Sequence, residues 1–158
     1  MKRKALVVIA IISALTLTGC SQVNSAASVG KTEITLNTVQ NSVNEVLKER
    51  AANNPGAQNL PTGQTLINSI LQFHLYSALF DALAAGTNIT ITDKDIENER
   101  QKIYGQIGSA ANLPKALAGA SIAQSDFNRY MRTVLIVAKL NAMIAATGDK
   151  NINGSSLQ

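Results

Sequence analysis

The sequence of 158 residues is poor in the residue types that build chemical sites. It contains one cysteine, one histidine and no tryptophan, and aromatic residues make up 4% of it. A single cysteine excludes a disulfide framework within one chain, and a zinc site needs several cysteine or histidine ligands. So few aromatic side chains also argue against a platform on which nucleic-acid bases stack. We therefore expect no metal, no cofactor and no nucleic-acid partner, and a fold stabilised by packing.

The chain also has almost no net charge outside its N-terminus. The chain carries 14 lysines and arginines and 10 aspartates and glutamates, a net charge of +4. Three of the basic residues are Lys2, Arg3 and Lys4. Without them, 11 basic residues face 10 acidic ones, which leaves +1. The sequence pI near 9.4 is therefore largely due to these three residues, and it does not indicate a surface for nucleic acid.

What the N-terminus does contain is the pattern of an export signal. The basic residues precede an apolar run at 5–15, which is shorter than the roughly 20 residues of a permanent transmembrane helix. The tetrapeptide Leu-Thr-Gly-Cys at 17–20 resembles the lipobox of bacterial lipoproteins. We expect residues 1–19 to be a signal peptide and Cys20 to carry the lipid that anchors the chain on the extracytoplasmic face of a membrane. An uncleaved anchor with an incidental cysteine is the alternative.

The residues after the lipobox predict a short tether and then a small hairpin. Residues 20–27, which begin with the lipidated cysteine, are small and polar, as in a flexible linker. Val29 and Ile34 flank a tight turn in which Gly30 can supply a positive φ. We place the start of the folded domain at this hairpin and its extent at residues 28–146.

Apolar residues at helical spacing predict four or five helices in this domain. Their predicted ranges are about 36–52, 62–86, 93–108, a short segment around 114–118, and 123–146, followed by a polar, flexible tail at 147–158. The sequence therefore predicts an all-α domain of four to five helices with a minimal N-terminal β-hairpin.

Three local patterns define these helices further. In the first helix, a core-facing stripe is predicted for Leu36, Val39, Val43, Val46 and Leu47. Arg50, on the same helix, is assigned to the polar face that contacts water. Gly86 is predicted to end the second helix as a left-handed cap. Thr92 and Asp95 resemble a capping box at the start of the third, with aspartate in place of the usual glutamate.

The order of these elements resembles the N-terminal chaperone domain of SurA and PrsA, a family of exported foldases. The resemblance rests on the hairpin, on the string DALAAGTNITITDKDI at 81–96, and on residues 122–132 in the last helix. The string at 81–96 is its most specific part, although Asp95 stands where the family often has glutamate. The resemblance covers about residues 28–145, nearly all of the chain that remains after cleavage.

This resemblance implies a lipid-anchored chaperone that binds unfolded or extended apolar segments of exported proteins. Family members usually continue into a parvulin-type prolyl isomerase domain, and the sequence ends about ten residues after its last helix. We therefore expect no isomerase activity and no enzyme. In SurA-like proteins a later helix packs back on this domain. Without it, either the fold closes on itself or an apolar groove stays open to a client or to a second copy of the chain.

Four apolar residues are candidates for lining such a groove: Phe73, Tyr76 and Phe80 on the second helix and Met131 on the last. Methionine suits a groove for varied partners because its flexible side chain repacks easily. Packing in the core is the alternative role for all four.

The remaining candidates for chemistry have simple structural explanations. His74 lies in the most apolar helix, and we expect it to be buried with one hydrogen-bond partner, because neither a metal site nor a catalytic serine motif accompanies it. Arg129, Arg132 and Lys139 form either a solvated face of the last helix or a site for an anionic partner. A structural or adaptor lipoprotein, which binds one envelope protein or self-associates, is therefore the alternative to a chaperone.

Overall fold

The computed structural model describes residues 24–54 and 59–147. The predicted signal peptide, Cys20 and the predicted tail beyond residue 147 lie outside these residues. The described elements are, in chain order, β1 (Ser25–Val29), β2 (Thr32–Thr35), α1 (Leu36–Asn53), α2 (Gly63–Gly86), α3 (Asp93–Ile107), α4 (Leu113–Gly119) and α5 (Phe127–Thr147), with 3₁₀ turns at Ala110–Asn112 and Gln124–Asp126. The predicted fold class, an all-α domain with a minimal hairpin in front, is confirmed.

The hairpin forms as predicted but begins three residues earlier, at Ser25. β1 and β2 pair antiparallel, and Gly30 in the turn between them has a φ of +57°, which glycine adopts without strain. Ser25 lies opposite Thr35, so β1 begins inside the segment 20–27 that was predicted to be a tether. The pairing extends this far because the backbone N–H and C=O groups of β1 form hydrogen bonds with β2.

The core-facing stripe of α1 is only partly correct. Its central residues are buried (Val39, Val43 and Val46). Leu36 and Leu47, at the edges of the stripe, are 51% and 42% exposed. Arg50, which the pattern assigned to water, is instead buried at 8% exposure. The reason is that α1 packs along its length against α2 and also against α4, and α4 covers the face on which Arg50 lies.

Three oxygens hold the buried guanidinium of Arg50. Its Nε donates to the carbonyl of Ala118 at 3.0 Å, one terminal nitrogen donates to the carbonyl of Pro61, and the other donates to Ser121 Oγ at 2.7 Å. Burial lowers the pKa of this guanidinium from its usual value. The side chain thereby joins the end of α1 to the end of α4 and to the residues that precede α2.

α2 ends at Gly86, as predicted, but Gly86 is not a left-handed cap. Gly86 is still part of the helix, and the C-cap is Thr87, whose N–H donates to the carbonyl of Leu83 at 3.0 Å. The residue with left-handed φ is Asn88, at +56°. Asparagine tolerates this conformation better than most residues, so the chain turns there instead of at the glycine.

The predicted capping box at the start of α3 is confirmed. Thr92 Oγ1 accepts from the Asp95 N–H at 3.1 Å, and Asp95 Oδ2 accepts from the Thr92 N–H at 3.0 Å. Lys139 of α5 reaches the same carboxylate at 3.2 Å. The backbone hydrogen bond from Thr92, followed by Lys139, lowers the pKa of Asp95. The box therefore both starts α3 and connects it to α5.

The last helix begins after a 3₁₀ turn that α1 holds in place. Glu45 of α1 accepts from the Ser125 N–H at 2.9 Å and from the Ser125 hydroxyl at 2.6 Å. The sequence predicts a helix start at 123–125, whereas α5 itself begins at Phe127. The carboxylate of Glu45 satisfies a backbone donor that a helix start leaves without an intrahelical partner.

Three apolar clusters form the core. The first joins the hairpin, α1 and α2 around Val46, Leu66 and Ile70. The second joins α2, α5 and the segment between α2 and α3 around Phe80 and Ile136. The third joins α4 and α5 around Leu117 and Met131, with α3 packed against it. Among residues 24–54 and 59–147, no helix is both long enough and apolar enough to span a membrane.

Candidate functional site

The described residues leave one side of α2 uncovered next to α5, and an apolar groove forms there. The groove has a volume of about 280 Å³. Its lining residues are Phe73, Tyr76, Ser77, Tyr130, Thr133, Val134 and Val137. α2 is apolar on most sides, a pattern typical of a helix surrounded by others, yet Tyr76 and Leu79 on it are 59% and 41% exposed. Exposed apolar side chains beside a groove are typical of a surface that contacts another molecule.

Polar contacts between α2 and α5 fix the relative position of the groove walls. The Thr133 hydroxyl donates to Ser77 Oγ at 3.1 Å on the floor of the groove. Arg132 Nε donates to Asp81 Oδ1 at 2.7 Å about one turn further along α2. These contacts hold the two helices side by side, so the groove between them is largely preformed, as ligand sites usually are.

The structure brings together only half of the residues that the sequence suggested for a groove. Phe73 and Tyr76 line it. Phe80 is buried in the second core cluster at 9% exposure, and Met131 is fully buried in the third. Both therefore pack in the core, the alternative role that the sequence allowed for them.

The α5 wall of the groove comes from residues that the sequence analysis did not select. Tyr130, Val134 and Val137 follow each other at steps of four and three, which places them on one face of the helix. Met131 belongs to the adjacent face, which packs against α4. The helical spacing could have identified both faces. It could not show which of them α4 covers, because that depends on contacts between distant parts of the chain.

A buried polar cluster includes His74, whose ring contacts that of the groove residue Phe73. It consists of Ser42 from α1, His74 from α2 and Asp126 from the 3₁₀ turn, which are 4%, 2% and 8% exposed. Ser42 Oγ donates to Asp126 Oδ2 at 2.7 Å and lies 3.2 Å from His74 Nε2. His74 Nε2 is 3.5 Å from the same Asp126 oxygen. The sequence predicted a buried His74 with one partner, and the structure gives it two.

The three residue types are those of a serine hydrolase triad, but their geometry differs. In a triad, the histidine accepts from the serine through one ring nitrogen and donates to the carboxylate through the other. Here Ser42 and Asp126 both approach the same nitrogen, Nε2, of His74. The Ser42 hydroxyl donates to the carboxylate and not to the ring. The cluster is therefore a hydrogen-bonded structural contact among three elements and does not activate a nucleophile.

The charge state of His74 is set mainly by its burial. Burial lowers the pKa of the imidazole below its usual value of 6.5, the carboxylate of Asp126 acts in the opposite direction, and Arg129 lowers it further. Arg129 Nε lies 3.8 Å from Asp126 Oδ1. His74 is therefore neutral at pH 7. Because the hydrogen of the Ser42 hydroxyl is directed at Asp126, the hydrogen of the neutral ring belongs on Nε2.

The basic residues of α5 are engaged within the chain. Arg132 pairs with Asp81, and Lys139 Nζ contacts Asp95 and donates to the carbonyl of Thr90 at 2.9 Å. These contacts explain the positive face of the helix without an anionic partner. In the described part of the chain, no group of three or more histidine, cysteine, aspartate or glutamate side chains is arranged to hold a metal ion.

Comparison with known proteins relates the chain to a described family. A family model described as the SurA-like N-terminal domain matches residues 2–141. No curated protein and no solved structure matches the chain.

Proposed function

Because the chain belongs to the SurA-like N-terminal domain family, we propose that it is an extracytoplasmic chaperone that binds extended apolar segments of exported proteins between α2 and α5. The proposed role is binding alone, without a nucleotide and without isomerase activity. Family membership supports client binding in general terms. The groove supports the assignment of that binding to a particular surface.

The observation that carries this proposal is the apolar groove with an exposed aromatic residue at its rim. Its lining is almost entirely carbon, and its polar side-chain atoms are the hydroxyls of two tyrosines, Ser77 and Thr133. Ser77 is fully buried and bonded to Thr133. Such a lining has few polar groups that would demand a particular partner, so it can accept many apolar segments with modest affinity. A chaperone that releases clients without an energy source needs this property.

Lipid attachment at Cys20 forms a further part of the proposal. Cys20 lies outside the described residues, and its support is the signal-like segment and the Leu-Thr-Gly-Cys sequence at 17–20. Two acyl chains on one cysteine would hold the domain firmly at a membrane surface. The groove would then remain close to proteins that emerge from the export machinery.

The test uses protein expressed from the full sequence and purified in lipid nanodiscs. An unfolded, aggregation-prone protein is diluted into buffer without nucleotide, and light scattering is followed as the nanodisc-bound chain is added. We expect suppression of scattering near stoichiometric amounts. Empty nanodiscs must leave the scattering unchanged. No suppression at a large excess would argue against the proposal.

A pair of matched variants tests the groove itself. Tyr76→Ser removes an exposed apolar side chain from the groove, and Leu47→Ser removes one from α1, away from the groove; the two are 59% and 42% exposed. We expect Tyr76→Ser to need several-fold more protein for the same suppression, and Leu47→Ser to behave as the wild type. If both variants need the same amount of protein for suppression, client binding does not depend on the groove.

A structural or adaptor role remains the second candidate. The observation that favours it is the exposed apolar surface that continues from Tyr76 to Leu79 on α2, because such a surface also suits one specific partner or a second copy of the chain. Sedimentation velocity distinguishes the two roles. A tight dimer that lacks the ability to suppress aggregation would favour the adaptor, whereas a monomer that suppresses it would favour the chaperone.

A further inference from the structure

In the buried cluster of Ser42, His74 and Asp126, two residues are close in sequence to residues that line the groove. His74 lies between the groove residues Phe73 and Tyr76, and its ring contacts the Phe73 ring edge-on, with centroids 5.3 Å apart. Asp126 lies one helical turn before Tyr130, on the opposite wall. The cluster thus connects α2 to the turn that precedes α5, close in sequence to residues on both walls of the groove.

We propose that this cluster is a proton-sensitive latch, which holds the walls of the groove together while His74 is neutral and loosens them when His74 is protonated. The proposal rests on the proposed function for its biological meaning, because it concerns the regulation of the same groove. The proposed movement of α2 against α5 can be measured without any client.

The charged groups around His74 determine the direction of the effect. Asp126, from the 3₁₀ turn, attracts a protonated ring, and Arg129, from α5, repels it. On the α1 side the ring faces the neutral Ser42, while Glu45 of α1 is occupied by Ser125. The attraction of the Asp126 carboxylate for a protonated ring is therefore offset in part by the Arg129 guanidinium. Burial has the largest effect, and it favours the neutral ring.

Protonation also places a positive charge on a ring that is almost fully buried. In the neutral ring, Nε2–H faces Ser42 Oγ at 3.2 Å, and the added proton goes to Nδ1. The side chain is 2% exposed, and placing a charge on so deeply buried a ring is costly. The cost is relieved when α2 moves away from α5 and admits water at the ring. Phe73 and Tyr130 then separate, and the groove loses the close spacing of its walls.

The chain is well suited to a direct test because it contains one histidine and three tyrosines. The full-length protein is expressed with ¹³C-labelled histidine and tyrosine, purified without a histidine tag in lipid nanodiscs, and followed by NMR from pH 8 to pH 4.5. We expect the His74 signal to titrate with a midpoint below 6.5. The ring signals of Tyr76 and Tyr130 should shift with the same midpoint, whereas Tyr104 of α3, which is outside the groove, should not.

Two variants determine whether His74 causes the response. His74→Gln keeps an uncharged donor in the cluster and removes the titration, so the tyrosine shifts should disappear. Asp126→Asn removes the charge that raises the His74 pKa, so the midpoints of His74 and of both tyrosines should fall together. The proposal is overturned if the tyrosine response persists in His74→Gln. It is also overturned if that response stays at the wild-type midpoint in Asp126→Asn, or if His74 does not titrate before the protein unfolds.

Client binding is measured separately with a fluorescein-labelled peptide rich in phenylalanine and leucine. In the wild type we expect the affinity to fall below the His74 midpoint, by at most about tenfold per pH unit for one linked proton. In His74→Gln the affinity should not change over the same range. An affinity that rises on acidification would overturn the latch in the stated direction. A peptide that binds at no pH would instead argue against the proposed function, while the tyrosine signals would still decide the latch.

Discussion

The hydroxyl of Thr133 on α5 donates a hydrogen bond to Ser77 Oγ on α2 at 3.1 Å, across the floor of the groove. Ser77 is fully buried, so its hydroxyl has little access to water if this partner is lost. The contact is thus a polar link inside an otherwise apolar surface. It fixes which turns of the two helices face each other, and with them the depth of the groove.

The first prediction concerns this link. Thr133→Val keeps the shape of the side chain and removes the hydroxyl, which contacts Ser77 Oγ and also the carbonyl of Arg129 at 2.9 Å. We expect it to lower the free energy of unfolding by about 1 kcal/mol. Urea unfolding followed by circular dichroism measures the change. Thr65→Val, at an exposed position of α2, is the matched control and should have little effect. Equal stability of both variants and the wild type would show that the Thr133–Ser77 bond adds nothing to the packing of α2 and α5.

The second prediction concerns the dependence of stability on pH. The pKa of His74 is lower in the folded chain than the value of 6.5 in an unfolded one, so the unfolded state binds a proton first as the pH falls. The contribution of His74 to the free energy of unfolding should therefore be constant above pH 6.5. It should decline from about pH 6.5 down to the folded-state midpoint, with a slope of at most about 1.4 kcal/mol per pH unit, and then level off.

Urea unfolding at pH 7.5, 6.5 and 5.5 measures this decline. In His74→Gln the group that titrates in this range is absent, so the profile should be flatter than in the wild type. A wild-type profile that rises on acidification would mean that Asp126 outweighs burial and that the folded-state pKa is raised instead of lowered.

Local features of this fold could be predicted from the sequence because their partners are near in the chain. The capping box joins residues three positions apart, and the turn at Gly30 needs only a positive φ. The presence of α2 follows from its continuous apolar composition. In each case the interacting groups lie within one turn of each other, so spacing alone carries the information.

The groove and the buried cluster could not be predicted in the same way. Ser42 and Asp126 are 84 positions apart, and nothing in either neighbourhood indicates the other. Arg50 was assigned to water because it is charged, yet its partners are two carbonyls and a hydroxyl 11 to 71 positions away. Backbone carbonyls are present at every residue, so the sequence cannot show which of them will meet a given arginine.

The third prediction concerns the start of α3. Thr92→Ala removes the side-chain acceptor of the capping box, and we expect a loss of about 1 kcal/mol in the free energy of unfolding. Thr92→Ser retains the hydroxyl and should keep most of the stability. Urea unfolding of the two variants gives the comparison. If alanine and serine behave alike, then the contact between Lys139 and Asp95, and not the capping box, holds the start of α3.

The fourth prediction concerns Arg50, the buried cation that joins α1 to α4. Arg50→Met fills a similar volume but leaves the carbonyls of Pro61 and Ala118 without their donors, and we expect a loss of about 3 kcal/mol. Arg50→Lys keeps the charge but has a single nitrogen in place of three, so it cannot reach all three oxygens at once. We expect its stability to lie between that of the wild type and that of the methionine variant.

Lys48→Met provides the matched control for Arg50, because Lys48 is an exposed cation on the same helix, and it should change stability by less than about 0.5 kcal/mol. Urea unfolding of the four proteins measures the series. Arg50→Met as stable as Lys48→Met would show that the hydrogen bonds of the guanidinium only balance the cost of burying it. A large loss in Arg50→Met with little loss in Arg50→Lys would show that the buried charge matters more than the number of oxygens it meets.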